Sequence, residues 1–188
     1  RELDLFPAWY LERHLGMTID ASLAALRDAL FDTLVTQALQ QPQVLVHRDY
    51  MPRNLMVSEP NPGVLDFQDA VLGPVSYDPV SLFRDAFISW PEERVAGWLT
   101  TYWERARAAG VPVPASLEAF LRACDLMGAQ RHIKVIGIFA RIRHRDSKPH
   151  YLADVPRFIT YLQGAAARRP ELAALSELIE RVWPEVAA

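Results

Sequence analysis

The fold is read from Val44-Leu45-Val46-His47-Arg48-Asp49-Tyr50-Met51-Pro52-Arg53-Asn54-Leu55-Met56-Val57 and, after a turn, Gly63-Val64-Leu65-Asp66-Phe67-Gln68-Asp69. An apolar run delivers Asp49, and Asn54 follows five residues later. A second apolar run ends at Pro60-Asn61-Pro62-Gly63, whose composition turns the chain. A third short run delivers Asp66. The pattern predicts strands at Val44–His47, Leu55–Val57 and Val64–Phe67, with a polar loop between the first two and a hairpin between the others. It gathers carboxylate and amide oxygens at strand ends.

That set of groups suits phosphoryl transfer, which asks for an acceptor hydroxyl held in line and for metal ions on the phosphates. Asp49 is the candidate to orient the hydroxyl and take its proton. Asn54 and Asp66 are candidate Mg²⁺ ligands, because Mg²⁺ prefers hard oxygen donors. Protein kinases carry a His-Arg-Asp loop with a downstream Asn and then Asp-Phe-Gly. His47-Arg48-Asp49, Asn54 and Asp66-Phe67 match in order and spacing, but Gln68 stands where the Gly would be.

With Gln68 followed by Asp69, the segment resembles the aminoglycoside phosphotransferase and choline kinase family, small-molecule kinases of the protein-kinase-like fold. Arg48 varies from that family's usual His-Gly-Asp loop. Gly73-Pro74-Val75-Ser76-Tyr77-Asp78-Pro79 is similar to its Gly-Pro-x-x-Tyr-Asp signature. Asp125-Leu-Met-Gly-Ala-Gln130-Arg131-His132-Ile-Lys134 and Gly137-Ile-Phe-Ala-Arg141-Ile-Arg143 look like the bacterial kinases that phosphorylate the anomeric hydroxyl of N-acetylmuramate and N-acetylglucosamine in cell-wall recycling. The resemblance implies ATP and Mg²⁺ as cofactors, a small-molecule hydroxyl acceptor, Asp69 as a helper to the metal ligands, and Asp78 as a brace that accepts backbone N–H groups of the catalytic loop. An aminoglycoside, choline, homoserine or another alcohol stays open as acceptor, and so does a non-catalytic binding module.

Composition narrows the classes. The chain has 188 residues, 51% of them hydrophobic, five of them Trp, and a net charge of −3, with a pI near 6.0. This is enough for one domain with a sizeable core, and nothing basic advertises nucleic acid or an anionic membrane. No apolar run reaches the ~18 residues a spanning helix needs. Single Cys124 lies in an apolar helical pattern and reads as a small buried hydrophobe in a reducing, cytoplasmic compartment. No Gly-rich loop and no Lys precede Asp49; the first Lys is Lys134. In kinase-like folds those features belong to an N-terminal nucleotide lobe. Residues 1–188 are therefore expected to be a single domain, the C-terminal lobe of a small-molecule kinase, with the N-terminal lobe absent and acting as a partner.

The rest of the chain reads as helix. Residues 1–15 suggest a short helix after Pro7, with Leu5, Trp9 and Leu11 inward. Asp20 caps a helix from Ala21 to about Gln40, whose Leu23, Leu26, Leu30, Leu34, Val35 and Leu39 face a core. Residues 70–78 read as irregular loop, and Pro79 starts a helix over Val80–Phe87. In it, Arg84 and Asp85 either pair structurally or present Asp85 to the acceptor. Further helices are expected from Pro91, from Leu117 to about Arg143, over 150–167 and over 171–182. Arg131 and Lys134 share a helix stripe, either as a solvated face or as cations for a substrate carboxylate such as a lactyl group. Arg53 is either a phosphate contact or a solvated loop residue. The fold class is mainly α with a small β-hairpin platform.

Overall fold

Four short strands and six α-helices, with 3₁₀ turns and one π-type helix, make up the computed structural model, which describes residues 2–184. Strand β1 (Gln43–Val46) pairs antiparallel with β4 (Val71–Pro74), and β2 (Leu55–Met56) pairs antiparallel with β3 (Gly63–Val64). The expected third strand ends two residues short of Asp66, because Asp66 takes a left-handed φ of 64° that no strand accommodates. The stretch expected as loop supplies β4. Its Gly73 sits opposite Val44, and a Cβ there would lie 2.6 Å from Val46 Cγ2, so the glycine permits the close approach.

Residues 37–127 form one compact unit; the chain up to Thr36 and the chain from Gly128 onward form a second. The core of the first unit is built from Val46, Tyr77, Val80, Val95, Leu99, Phe120, Cys124 and Met127. They come from β1, from α2 (Tyr77–Phe83), from α3 (Glu92–Ala108) and from the first turns of α4 (Leu117–Asp146). Cys124 is fully buried among them, as its apolar surroundings in sequence predict. Buried Arg84 pairs with buried Asp125 at 2.9 Å and with Glu92 at 2.8 Å. Burial works against its charge, but the two carboxylates outweigh it and hold its pKa above the ordinary arginine value.

In the second unit, Asp20 Oδ1 accepts the Leu23 N–H at 2.7 Å and caps α1 (Ala21–Leu39), as expected. That bond, and a second donated by the Ser22 hydroxyl at 2.9 Å, hold the Asp20 carboxyl below its usual value. Leu23, Leu30 and Leu34 are buried, whereas Val35 and Leu39 are exposed. At 100° per residue Val35 and Leu39 fall well off the stripe through Leu30 and Leu34. The opening helix, Phe6–His14, is π-type, and the Leu15 N–H continues its i→i−5 pattern to the Tyr10 carbonyl at 3.0 Å. Buried Phe6, Tyr10 and Leu11 form its inner face, instead of Leu5, Trp9 and Leu11. Tyr10 Oη accepts a 2.8 Å hydrogen bond from Trp183 Nε1. A Cβ on Gly137 would lie 2.5 Å from the Leu5 carbonyl carbon, so glycine lets the opening segment lie against α4. Helices α5 (Val155–Arg168) and α6 (Ala173–Val182) cover this unit with strongly one-sided apolar faces. Among the described residues, no helix is long and apolar enough to cross a membrane.

Candidate active site

The loop leaving β1 is held from below. Asp78, in the first turn of α2, accepts the His47 N–H on Oδ2 at 2.7 Å and the Arg48 N–H on Oδ1 at 3.0 Å. This is the brace expected of it. Arg48 takes a φ of 75°, a left-handed conformation that costs a non-glycine residue about 1–2 kcal/mol, and the two N–H bonds offset that cost. The turn reverses the chain so that half-buried Asp49 follows directly.

Asn54 then ties the loop together. Its Nδ2 donates to the Asp49 carbonyl at 2.9 Å, and its own carbonyl accepts the Leu65 N–H at 2.9 Å. Asp49, Asn54 and the residue preceding Asp66 therefore share one hydrogen-bonded frame. His47 adds a second tie, with Nε2 lying 2.9 Å from the Leu65 carbonyl oxygen, where a protonated Nε2 donates. Asp66 is exposed, and its Oδ1 accepts from Gln68 Nε2 at 2.6 Å. Gln68, the residue that departs from Asp-Phe-Gly, thus orients the carboxylate. Asp69 is exposed in the turn that follows.

Among the described residues, no group of three or more His, Cys, Asp or Glu is gathered to hold a metal. The donor set fits Mg²⁺ nonetheless. With Asn54 Nδ2 spent on Asp49, its Oδ1 remains as a hard oxygen acceptor, and Asp66 offers a carboxylate. Mg²⁺ in nucleotide sites takes one or two carboxylates and leaves the rest of its shell to phosphates and water.

Beyond the frame, α2 ends at Phe83 instead of running to Phe87. Asp85 explains the stop: its Oδ1 accepts the N–H of Phe87 at 2.8 Å and of Ile88 at 3.1 Å, a local turn that competes with helix. Asp85 Oδ2 is buried with no hydrogen-bond partner among the described residues. Phe87 in turn lies under the Arg53 guanidinium, whose Cζ is 3.4 Å from the ring centroid. The Asp85–Phe87–Arg53 connection was not foreseen in the sequence; its one local signal is an Asp two residues before an aromatic. Arg131 and Lys134 belong to the other unit. Arg131 is buried, and Lys134 Nζ pairs with Glu2 Oε1 at 2.8 Å, so neither lies on a solvated face.

Residues 1–120 match the phosphotransferase enzyme family, APH. The chain belongs to that family. Among curated proteins, phosphotransferases of this kind are similar to it over most of its length. The N-acetylmuramate/N-acetylglucosamine kinase of Pseudomonas aeruginosa is 65% identical over 179 residues, 95% of this chain and 53% of that protein. The kinase of the same name from Pseudomonas putida is 64% identical over the same shares, and that from Neisseria meningitidis is 50% identical over 95% of this chain and 54% of its own length. The chain spans about half the length of the curated relatives it matches.

Proposed function

We propose that this chain carries the catalytic and acceptor-binding half of an ATP-dependent kinase that phosphorylates the anomeric hydroxyl of an amino sugar, N-acetylmuramate or N-acetylglucosamine, in the cytoplasmic recycling of cell-wall sugars. The observation that supports the reading is the frame in which Asn54 bonds the Asp49 carbonyl and accepts the N–H of Leu65, the residue before Asp66. The names borne by its relatives support the substrate class.

In this reading the Asp49 carboxylate accepts a hydrogen bond from the anomeric O–H and takes its proton as that oxygen bonds to the γ-phosphorus. The bond from γ-phosphorus to the bridging oxygen of ADP breaks, giving sugar 1-phosphate and ADP, and Asp49 returns the proton to solvent. Asn54 and Asp66 would hold Mg²⁺, which neutralises phosphate charge when bound. Asp69 assists, and Asp85 shapes the acceptor side. A nucleotide-binding N-terminal lobe, the counterpart of the half of its relatives that this chain does not span, supplies the remaining contacts to ATP. A β-phosphate lysine is the usual contribution of that lobe.

³¹P NMR of the full-length gene product with Mg-ATP and either sugar tests the reading. A new sugar 1-phosphate resonance is expected. ATP left intact with both sugars, by protein that binds nucleotide, would refute the acceptor assignment.

A further inference from the structure

Arg53 immediately precedes Asn54 and is exposed, yet its guanidinium is not loose. Its Cζ lies 3.4 Å from the centre of the Phe87 ring, and Phe87 is pinned through its N–H to Asp85. Among the described residues the guanidinium makes no hydrogen bond and no ion pair. Stacking occupies one face of the cation and does not use its N–H donors, which stay available to a planar anion. Next to the Asp49–Asn54 frame in the chain, such a group is suited to a planar anion, and the carboxylate of an acceptor is one that the relatives' substrates offer.

The two sugars named for the relatives differ in just this way, since N-acetylmuramate carries a lactyl carboxylate and N-acetylglucosamine is neutral. An enzyme that accepts both cannot bury a cation for the carboxylate, because the neutral sugar would leave that charge desolvated and unpaired. An exposed, stacked arginine avoids the problem. It pairs with the anionic acceptor and stays hydrated with the neutral one. Of the two helix cations, Arg131 is buried and Lys134 is already paired with Glu2.

We infer that Arg53, stacked on Phe87, recognises the carboxylate of an anionic amino-sugar acceptor and sets the preference between charged and neutral sugars. The inference rests on the amino-sugar kinase reading above. Its test is the ratio of kcat/KM for N-acetylmuramate to kcat/KM for N-acetylglucosamine in the full-length protein, at saturating Mg-ATP. The ratio cancels any change in the folded fraction. Arg53→Ala is expected to lower it about tenfold, the scale of a charge-assisted hydrogen-bonded pair, with part of the loss recovered in Arg53→Lys. A ratio that moves less than about threefold overturns the inference, including the case where both sugars lose equally, which would mark a nucleotide contact. If Arg53→Ala does not fold, the wild-type protein decides: raising KCl from about 0.05 to 0.5 M should raise KM for N-acetylmuramate alone. Parallel salt dependence for both sugars overturns it. Wild-type protein that turns over neither sugar would remove the amino-sugar reading itself, an outcome separate from a changed or unchanged ratio.

Discussion

Asp78 Oδ1 accepts the backbone N–H of Arg48 at 3.0 Å, from a position thirty residues further along the chain. With the His47 N–H on the other oxygen, this carboxylate holds the left-handed turn that presents Asp49. Asp78→Ala strands both donors in a half-buried site, and hydrogen bonds to a charged group are worth about 1.5–3 kcal/mol each. We expect a loss of about 2–4 kcal/mol in urea unfolding of the full-length protein. Asp78→Asn keeps one acceptor oxygen and should lose roughly half as much. Equal stability of all three proteins would show that the turn is held by something else.

Asp49 and Asp66 should separate chemistry from folding. Asp49→Asn and Asp66→Asn in the full-length protein preserve shape and remove a charge that the proposed reaction requires. Each is expected to cut kcat by about 10²–10⁴, the range of acid–base and electrostatic contributions. Circular dichroism and the thermal midpoint should stay close to wild type, because both side chains project from an already hydrogen-bonded loop. Near-normal kcat in both variants would sink the site assignment.

The buried pair of Arg84 with Asp125 should be asymmetric under mutation. Arg84→Met removes the counter-charge of buried Asp125 and is expected to cost about 3–5 kcal/mol. The double variant Arg84→Met/Asp125→Leu removes both charges and should regain most of that loss, though Glu92 also loses its partner. A double-mutant cycle in urea reads the difference; strictly additive losses would mean that the two residues do not depend on each other.

His14 gives the second unit a pH dependence. Burial first, then the neighbouring His144 and Arg143, hold the His14 pKa below the ordinary 6.5. His144 Nε2 lies 3.4 Å from His14 Nδ1, and the Tyr10 ring lies against it as well. With the folded value below the unfolded one, the unfolded chain binds the proton first as pH falls. The contribution of neutral His14 is therefore complete above about pH 7 and is lost as pH drops through 6.5 toward the folded value. Urea midpoints measured between about pH 7.5 and 5.5 should fall in wild type and fall less in His14→Phe. Identical slopes in the two proteins would assign the pH dependence to other groups.

Local chemistry was legible along the chain. The order of His47, Asp49, Asn54 and Asp66, the Asp20 cap, the burial of Leu23, Leu30 and Leu34 on α1 and the burial of Cys124 all follow from residue type and short-range spacing. Spacing and strand flanks are encoded within a few residues, so they survive without knowledge of what lies opposite. Tertiary structure decided the rest. The pairing of Val46 with Val71 made a strand of a segment that reads as loop, because a ladder rewards the backbone only when its partner arrives. Asp66 left the strand pattern, and Asp85 left the helix pattern, because each carboxylate found a nearby donor in Gln68 or in the Phe87 and Ile88 N–H groups. Arg84 could be read as half of an ion pair, but its partner Asp125 lies forty-one residues away. Lys134 found Glu2. A charge seeks whatever counter-charge the fold brings near, and no local period in a sequence names that neighbour.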